Sequence, residues 1–96
     1  MIEIDSIEKA WVILSMKHGL VRTEPEIKAE VLSNFHVNLS MKMFKCIIDE
    51  LETALVIKSL TTKSHKDLNI KAYYVVDYQD KNAARRYLRD RRVETS

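Results

Sequence analysis

Apolar residues recur at helical spacing in three segments of the first half of the chain, and this pattern predicts three helices. The first covers residues 6–18, and Gly19, the only glycine in the chain, is placed to form its C-terminal cap. After a short extended link at residues 20–22, the second covers residues 24–34 and starts with a Thr-Glu-Pro-Glu capping box. The third covers residues 40–54. Its apolar stripe consists of Phe44, Ile47, Ile48, Leu51 and Leu55.

The spacing of apolar residues changes from helical to alternating after Ala54, which predicts that β-strands follow. Two β-branched segments with polar residues between them indicate a hairpin over residues 56–76. Its loop lacks the glycine of a tight two-residue turn. Asp80 can then cap a short arginine-rich helix over residues 80–92. This order of elements predicts an α+β fold in a single domain spanning residues 1–96.

The composition is that of a small globular protein. The 96 residues are 46% hydrophobic and 31% charged, within the range of folded chains. Cys46 is the only cysteine, which excludes an intramolecular disulfide and fits a reducing compartment. No apolar run approaches the roughly 20 residues that span a bilayer, and the acidic start of the chain lacks the pattern of a secretion signal. We therefore expect a soluble cytoplasmic protein with no membrane partner.

Charge is distributed unevenly along the chain. Residues 1–55 contain 6 Lys/Arg and 9 Asp/Glu, a net charge of −3, whereas residues 56–96 contain 10 and 5, a net charge of +5. The formal charge of the whole chain is only +2. Because a basic region attracts polyanions even in a nearly neutral molecule, the asymmetry favours a polyanionic partner.

Three stretches resemble the winged helix-turn-helix superfamily. Residues 30–40 resemble its helix, turn and second-helix entry, and residues 47–56 resemble the end of its recognition helix running into the wing. Tyr73-Tyr74 is similar to the aromatic return strand of MarR-like and PadR-like regulators. The resemblance covers roughly residues 6–77. It implies a winged helix-turn-helix with a three-helix core, the hairpin as wing, and a DNA-binding function.

The chain departs from the superfamily pattern at Ala54, where a glycine usually precedes the leucine. Alanine disfavours a positive φ, so this substitution weakens the predicted turn. The same compact layout occurs in small regulators encoded by archaeal viruses and phages, so a viral origin is one interpretation.

The resemblance implies that the third helix enters the DNA major groove with its N-terminal half. The residues that would contact DNA there are Ser40, Met41, Lys42 and Lys45. Lysine can bind guanine acceptors or phosphate, and a serine hydroxyl can reach either. The alternative is that the two lysines simply belong to a solvated helix face.

Further basic residues lie in the hairpin loop and in the last helix. Lys63, His65 and Lys66 would form the wing tip over a minor groove or a phosphate, although loops are polar in any fold. Arg85 and Arg86 would be an auxiliary phosphate clamp. Both groups extend the expected DNA surface beyond the third helix.

The apolar residues of the last helix predict that it packs against something, because a short terminal helix is marginal alone in water. Ala84, Tyr87 and Leu88 are candidates for a homodimer interface. The alternative is that they pack on the chain's own core while the arginines stay in solvent.

Several carboxylates argue against DNA binding. Asp49 and Glu52 would repel phosphate, which limits contact to the first two turns of the third helix. Glu24, Glu26 and Glu30 make the second helix acidic. These carboxylates support a second hypothesis, a winged-helix module that binds another protein.

The sequence carries no motif of an enzyme or a metal site. A single glycine excludes most nucleotide-cradling loops, and no nucleophile motif or carboxylate pair is present. His18, His36 and His65 are far apart, and no Cys-x-x-Cys or His-x-x-x-His occurs. Cys46 is expected to be a partly buried small hydrophobe rather than a redox sensor. We expect no catalytic residue, cofactor, metal or small-molecule substrate.

The first hypothesis is therefore a sequence-specific regulator of transcription that binds double-stranded DNA as a homodimer. Such a dimer would read two half-sites about one helical turn apart. This hypothesis requires Lys42, Lys45, Lys63 and Lys66 to share one positive face. If the carboxylates of the second helix interrupt that face, the protein-binding hypothesis takes precedence.

Overall fold

The computed structural model describes residues 4–16, 19–63, 66 and 68–95, with side chains described up to Arg91. Four helices and a three-stranded antiparallel sheet make up the fold. In chain order the elements are α1 (Ile7–Ser15), β1 (Arg22–Thr23), α2 (Glu24–Phe35), α3 (Met41–Thr53), β2 (Ile57–Lys63), β3 (Asn69–Val75) and α4 (Tyr78–Thr95).

The first helix ends earlier than its apolar pattern predicts. The Ser6 side chain caps α1 by accepting a hydrogen bond from the backbone N–H of Lys9 at 3.3 Å, and Met16 is the C-cap in an extended conformation. Gly19 does have a positive φ, of 80°, but it lies in the turn beyond the cap. The prediction that Gly19 caps this helix is therefore wrong, and residues 17 and 18 of the predicted helix lie outside the described residues.

The second helix starts at the predicted capping box. Glu26 reaches back to the backbone N–H of Thr23 at 3.0 Å and to its hydroxyl at 2.9 Å. These hydrogen bonds, together with Arg22, lower the pKa of Glu26. The helix ends at Phe35, and His36 caps it in the left-handed conformation with φ 58°. The chain thus turns into the third helix without a glycine.

The third helix is anchored on the core by its apolar stripe. Phe44, Ile47, Ile48 and Leu51 are all buried. The prediction that Leu55 continues this stripe is wrong, since Leu55 is 68% exposed and has a φ of 62°.

The end of α3 explains why Leu55 points outward. The N–H of Val56 donates to the carbonyl of Leu51 at 2.9 Å, and the N–H of Leu55 donates to the carbonyl of Glu52 at 3.1 Å. This pair of hydrogen bonds is a Schellman motif, in which the residue after the C-cap is left-handed. Ala54, the C-cap, has a φ of −80°. The strained position is therefore Leu55 rather than Ala54.

The sheet has the strand order β1-β3-β2, with β3 paired on both sides. The hairpin register places Ile57 opposite Val75 at its base and Lys63 opposite Asn69 at its far end. The short strand β1, which the sequence predicted only as an extended link, pairs with β3 through Arg22 and Tyr73. Pairing with β1 ties the α1–α2 connection to the wing.

The core lies between α1, the helix-turn-helix and the base of the sheet. Its largest fully buried side chains are Phe44, Ile13, Met16, Ile27, Ile48, Leu51, Ile57, Val12, Val31 and Val56. The long α4 packs against α1 and places Ala84, which is fully buried, in the same core.

The last helix is longer than predicted. It begins at Tyr78, after Asp77 accepts a hydrogen bond from the N–H of Gln79 at 2.9 Å, and it runs to Thr95. The prediction that Asp80 caps this helix is therefore wrong, since Asp80 is a buried residue of the first turn. Lys81 beside it is also buried, and burial together with the charge of Arg85 lowers the pKa of Lys81.

Candidate nucleic-acid interface

One face of α3 remains open to solvent. Successive residues of a helix are about 100° apart, so the face opposite the apolar stripe is centred on a line of four residues. These are Lys42, Cys46, Asp49 and Thr53, and all four are exposed. The predicted partly buried position of Cys46 is wrong, since Cys46 lies at the centre of the exposed face.

The N-terminal half of this face is basic. Lys42 and Lys45 both lie in its first turn and a half and are exposed. Ser40 caps the helix by accepting a hydrogen bond from the N–H of Met43 at 3.2 Å, while Met41 is exposed beside it. All four predicted contact residues of α3 (Ser40, Met41, Lys42 and Lys45) are therefore on the surface at one end of the helix.

The C-terminal half of α3 is acidic, but two of its three carboxylates have partners within the chain. Glu50 forms an ion pair with Lys9 at 2.6 Å, and this pair raises the pKa of Lys9. Glu52 accepts a hydrogen bond from the hydroxyl of Ser59 on β2 at 2.9 Å. The third carboxylate, Asp49, lies on the exposed face of α3.

The carboxylates at the start of α2 also have partners. Glu26 lies in the capping box and 3.5 Å from Arg22. Glu24 accepts a hydrogen bond from the hydroxyl of Tyr73 on β3 at 3.2 Å. Burial of Tyr73 together with the negative charges of Glu24, Glu52 and Asp49 raises its pKa to about 12. The acidic second helix is thus partly compensated at its N-terminal end, where it meets the sheet.

The wing adjoins α3 through the Glu52–Ser59 hydrogen bond, and two of its predicted contact residues are at its far end. Lys63 is the last residue of β2, Lys66 lies in the loop, and both are exposed. His65, the third predicted wing-tip residue, lies outside the described residues.

The arginines of α4 belong to a different part of the molecule. Arg85 donates to the hydroxyl of Tyr78 at 3.2 Å and to the side-chain oxygen of Asn82 at 3.0 Å. Arg86 is exposed on the same helix. Since α4 packs against α1 rather than against the wing, the structure does not place Arg85 beside Lys42 and Lys45.

The predicted dimer residues of α4 have different environments. Ala84 is fully buried in the chain's own core, which leaves it no surface for a partner. The prediction that Ala84 contacts a second copy therefore does not fit this packing. Tyr87 and Leu88 are half-buried and retain some exposed surface.

A groove between α1 and α4 was not predicted from the sequence. It has a volume of about 460 Å³ and is lined by Ile7, Trp11, Leu14, Phe35, Arg85, Leu88, Arg89 and Arg91. The rings of Trp11 and Phe35 stack in it, with centroids 6.0 Å apart and planes 29° apart. The residues come from three helices, so the signal lies in tertiary packing and not in any sequence motif.

Among the described residues, no cluster of three or more His, Cys, Asp or Glu side chains could hold a metal ion. In the same part of the chain, no helix is both long and apolar enough to cross a bilayer.

No protein-family model and no curated protein matches this chain. Among solved structures, it is similar to a PadR family transcription regulator from hypervirulent Clostridium difficile R20291. The TM-score is 0.67 at 16% sequence identity, and the match covers 91% of each chain. This likeness establishes the fold as an α+β winged helix-turn-helix of the PadR type and so confirms the predicted fold.

Proposed function

We propose that this protein binds double-stranded DNA in a sequence-specific manner and regulates transcription as a homodimer. The observation that carries the proposal is the exposed basic end of α3, held beside a β-hairpin wing. In helix-turn-helix proteins the N-terminal residues of the second helix contact base edges in the major groove. The similar solved structure is that of a transcription regulator, which agrees with this use of the fold.

The contacts divide by position on α3. Lys42 lies at the centre of the exposed face and suits a guanine edge, whereas Lys45 lies towards the sheet and suits a phosphate. Ser40 and Met41 extend the contact towards the start of the helix. Asp49, about two turns beyond Lys42, would repel phosphate and so limits the footprint to the first turns.

The wing would add contacts outside the major groove. Lys63 and Lys66 lie at the end of two seven-residue strands, about 23 Å from the base of the hairpin. A basic tip at this distance can reach a phosphate or a minor groove, and His65 would belong to the same tip. The two strands therefore extend the binding surface along the duplex.

The apolar residues of α4 that retain exposed surface support a homodimer. Its 18 residues span about 27 Å, whereas the 9 residues of α1 span about 14 Å. The longer helix α4 therefore offers more surface than α1 alone can cover. Tyr87 and Leu88 are available to a second copy, and two copies would double the small number of base contacts that one α3 offers.

The proposal is tested by selecting a duplex from random sequences and comparing two double variants on it. Lys42→Ala/Lys45→Ala should weaken binding to the selected site by about 10- to 100-fold, to nearly the affinity for a scrambled duplex, because each lost base contact costs roughly 1–3 kcal/mol. Arg85→Ala/Arg86→Ala removes the same charge from α4. It should mainly reduce the salt dependence of binding and keep the discrimination between duplexes.

Unfolding curves of both variants should match that of the wild type, since all four side chains are exposed. Wild-type protein that shows no salt-sensitive DNA binding at low ionic strength would contradict the proposal.

A second candidate function is binding to another protein through the helix-turn-helix. It is favoured by the exposed apolar side chains of Leu32, Met41 and Met43 on α2 and α3. A solution dimer or complex whose interface includes α3, found together with no DNA binding, would select this function over the first.

A further inference from the structure

We infer that Met43 and Cys46 of α3 select a thymine in the DNA site by contact with its C5 methyl group. The inference rests on the proposed function and deepens it, since it names a base that the helix selects. The two residues are neighbouring, exposed and uncharged, and they lie on the same end of α3 as Lys42. They would add to the lysines a second contact of a different chemical kind.

Met43 and Cys46 lie side by side on the surface of α3, because residues three apart on a helix are neighbours. Cys46 is exposed close to the centre of the open face. Met43 is 44% exposed on the flank of α3 that faces α1. Both line an open depression of about 360 Å³ between α3 and the start of α1. The two side chains therefore form one uncharged surface, the Met43–Cys46 patch.

The charges around this patch disfavour a phosphate group next to it. Glu50 lines the same depression and is paired with Lys9, which also pairs with Asp5 at 2.9 Å. Glu8 adds a third carboxylate to the lining. Among the described residues that line the depression, the only ammonium group is thus already paired with two carboxylates. This flank of α3 therefore favours a neutral group of the duplex over its backbone.

Thymine is the base whose major-groove edge fits such a patch. It presents a methyl group there beside one hydrogen-bond acceptor, and no other base of DNA presents a methyl group. Thioether and thiol groups bury apolar surface but are weak hydrogen-bonding partners. The amino group of adenine or cytosine would lose water against them without gaining a strong partner, which costs free energy. The methyl group of thymine is stabilised by the same loss of water.

The spacing along α3 indicates where the thymine should lie. Cys46 is four residues beyond Lys42, which is about 6 Å along the helix axis. Successive base pairs are about 3.4 Å apart along the duplex. The thymine is therefore expected within about two base pairs of the guanine that Lys42 is proposed to contact.

The test uses the duplex selected by the wild-type protein and replaces each of its thymines in turn by deoxyuridine. This change removes the methyl group and keeps every hydrogen-bonding group of the base. At one thymine position of each half-site the affinity should fall about fourfold, the value expected for one buried methyl group. Replacement of the other thymines should change the affinity less than twofold.

Two variants test whether the patch is what senses the methyl group. Met43→Gln/Cys46→Ser nearly keeps the size of both side chains and makes them polar, so it should bind the thymine and deoxyuridine duplexes almost equally. Thr53→Ser makes a small change on the same exposed line, two turns beyond Cys46 and past Asp49, and should keep the fourfold ratio. Any effect of uracil on the shape of the duplex itself would persist in both variants.

The outcomes separate this inference from the proposed function. A wild-type protein that selects no duplex would overturn both. Selection of a duplex in which no deoxyuridine weakens binding would overturn the inference alone and leave the DNA-binding function standing. A fourfold ratio that survives in Met43→Gln/Cys46→Ser would also overturn it, because the methyl group would then be sensed by another part of the protein or by the duplex.

Discussion

The helices α3 and α4 differ both in what anchors them and in the charge they present. Large aliphatic and aromatic side chains anchor α3, led by Phe44, whereas α4 is anchored by the small Ala84 and by the half-buried Tyr87 and Leu88. The helix with the weaker anchor, α4, has the greater positive charge. The helix α3 has 2 lysines against 3 carboxylates, and α4 has 6 basic residues against 3 carboxylates.

This difference teaches that a count of basic residues does not by itself identify the surface proposed to bind DNA. The helix with the greater positive charge lies on α1, and two of its arginines are held by tyrosines. The helix α3 has both of its lysines at its exposed N-terminal end. Two of its carboxylates bind other residues of the chain: Glu50 pairs with Lys9, and Glu52 accepts a hydrogen bond from Ser59. What matters is where each charge lies on the fold and what already binds it.

The largest expected effect tests the anchor of α3. Phe44→Ala should lower the free energy of unfolding by about 3–5 kcal/mol, because Phe44 is fully buried and its loss leaves a cavity. Leu88→Ala on α4 truncates a smaller, half-buried side chain and should cost clearly less, about 1–2 kcal/mol. Denaturant unfolding of both variants measures the difference, and equal losses would remove the contrast between the two helices.

The second prediction concerns Ala84, the small side chain by which α4 packs into the core. Ala84→Leu should lower the free energy of unfolding by about 1–3 kcal/mol, because the added atoms must enter a filled core. Ala83→Leu adds the same volume one position away, where the side chain is half-buried, and should cost less than half as much. If Ala84→Leu were neutral in thermal and denaturant unfolding, α4 would be loosely packed on α1.

The third prediction uses Tyr73 to report its own burial and the negative charge of Glu24 at the start of α2, to which Glu52 and Asp49 of α3 add. The pKa of Tyr73 is raised from 10 to about 12, so the folded state holds the proton more tightly than the unfolded state does. The resulting stability is fully present below about pH 10 and is lost as the pH rises through about 12, amounting to about 1 kcal/mol between about pH 9 and about pH 11.

Tyr73→Phe isolates this effect. The raised pKa of Lys9 contributes a loss in the same direction, and that loss remains in the variant. The variant should therefore lose about 1 kcal/mol less than the wild type over this pH range in denaturant unfolding. Parallel alkaline losses in the two proteins would mean that neither burial nor the charge of Glu24 holds the proton on the phenol of Tyr73.

The smallest expected effect concerns the end of α3. Leu55→Gly should raise the free energy of unfolding by about 0.5–1 kcal/mol, because it relieves the left-handed conformation of a bulky residue that buries little surface. Ala54→Gly should lower it by a similar amount, since Ala54 has an ordinary negative φ and glycine only adds unfolded-state freedom there. Changes of the same sign in thermal unfolding would place the strained residue elsewhere.

Local chemistry made much of the fold predictable from the sequence. The capping box at Thr23 and Glu26, the apolar stripe from Phe44 to Leu51 and the change of period after Ala54 are interactions between near neighbours. They placed α2, α3 and the hairpin within a few residues of their observed bounds. The resemblance then supplied the way these elements assemble.

The features that sequence did not reveal depend on contacts between distant residues. A two-residue strand has no pattern of its own, so β1 is defined only by its pairing with Tyr73. The exposure of Leu55 depends on a turn that overrides helical spacing. The candidate site divides in the same way: the lysines of α3 were predicted from one helix, whereas the groove required Trp11 and Phe35 to meet from two.

The strand β2 has a consequence for solubility. Within the described residues it pairs only with β3, so its other backbone edge faces outward. An open edge is a template for the strands of other molecules, and natural sheets protect it with charge. Lys58 and Lys63 are exposed near the two ends of β2 and would repel the same lysines of an incoming copy. The wing can therefore stay long and exposed without becoming a site of edge-to-edge aggregation.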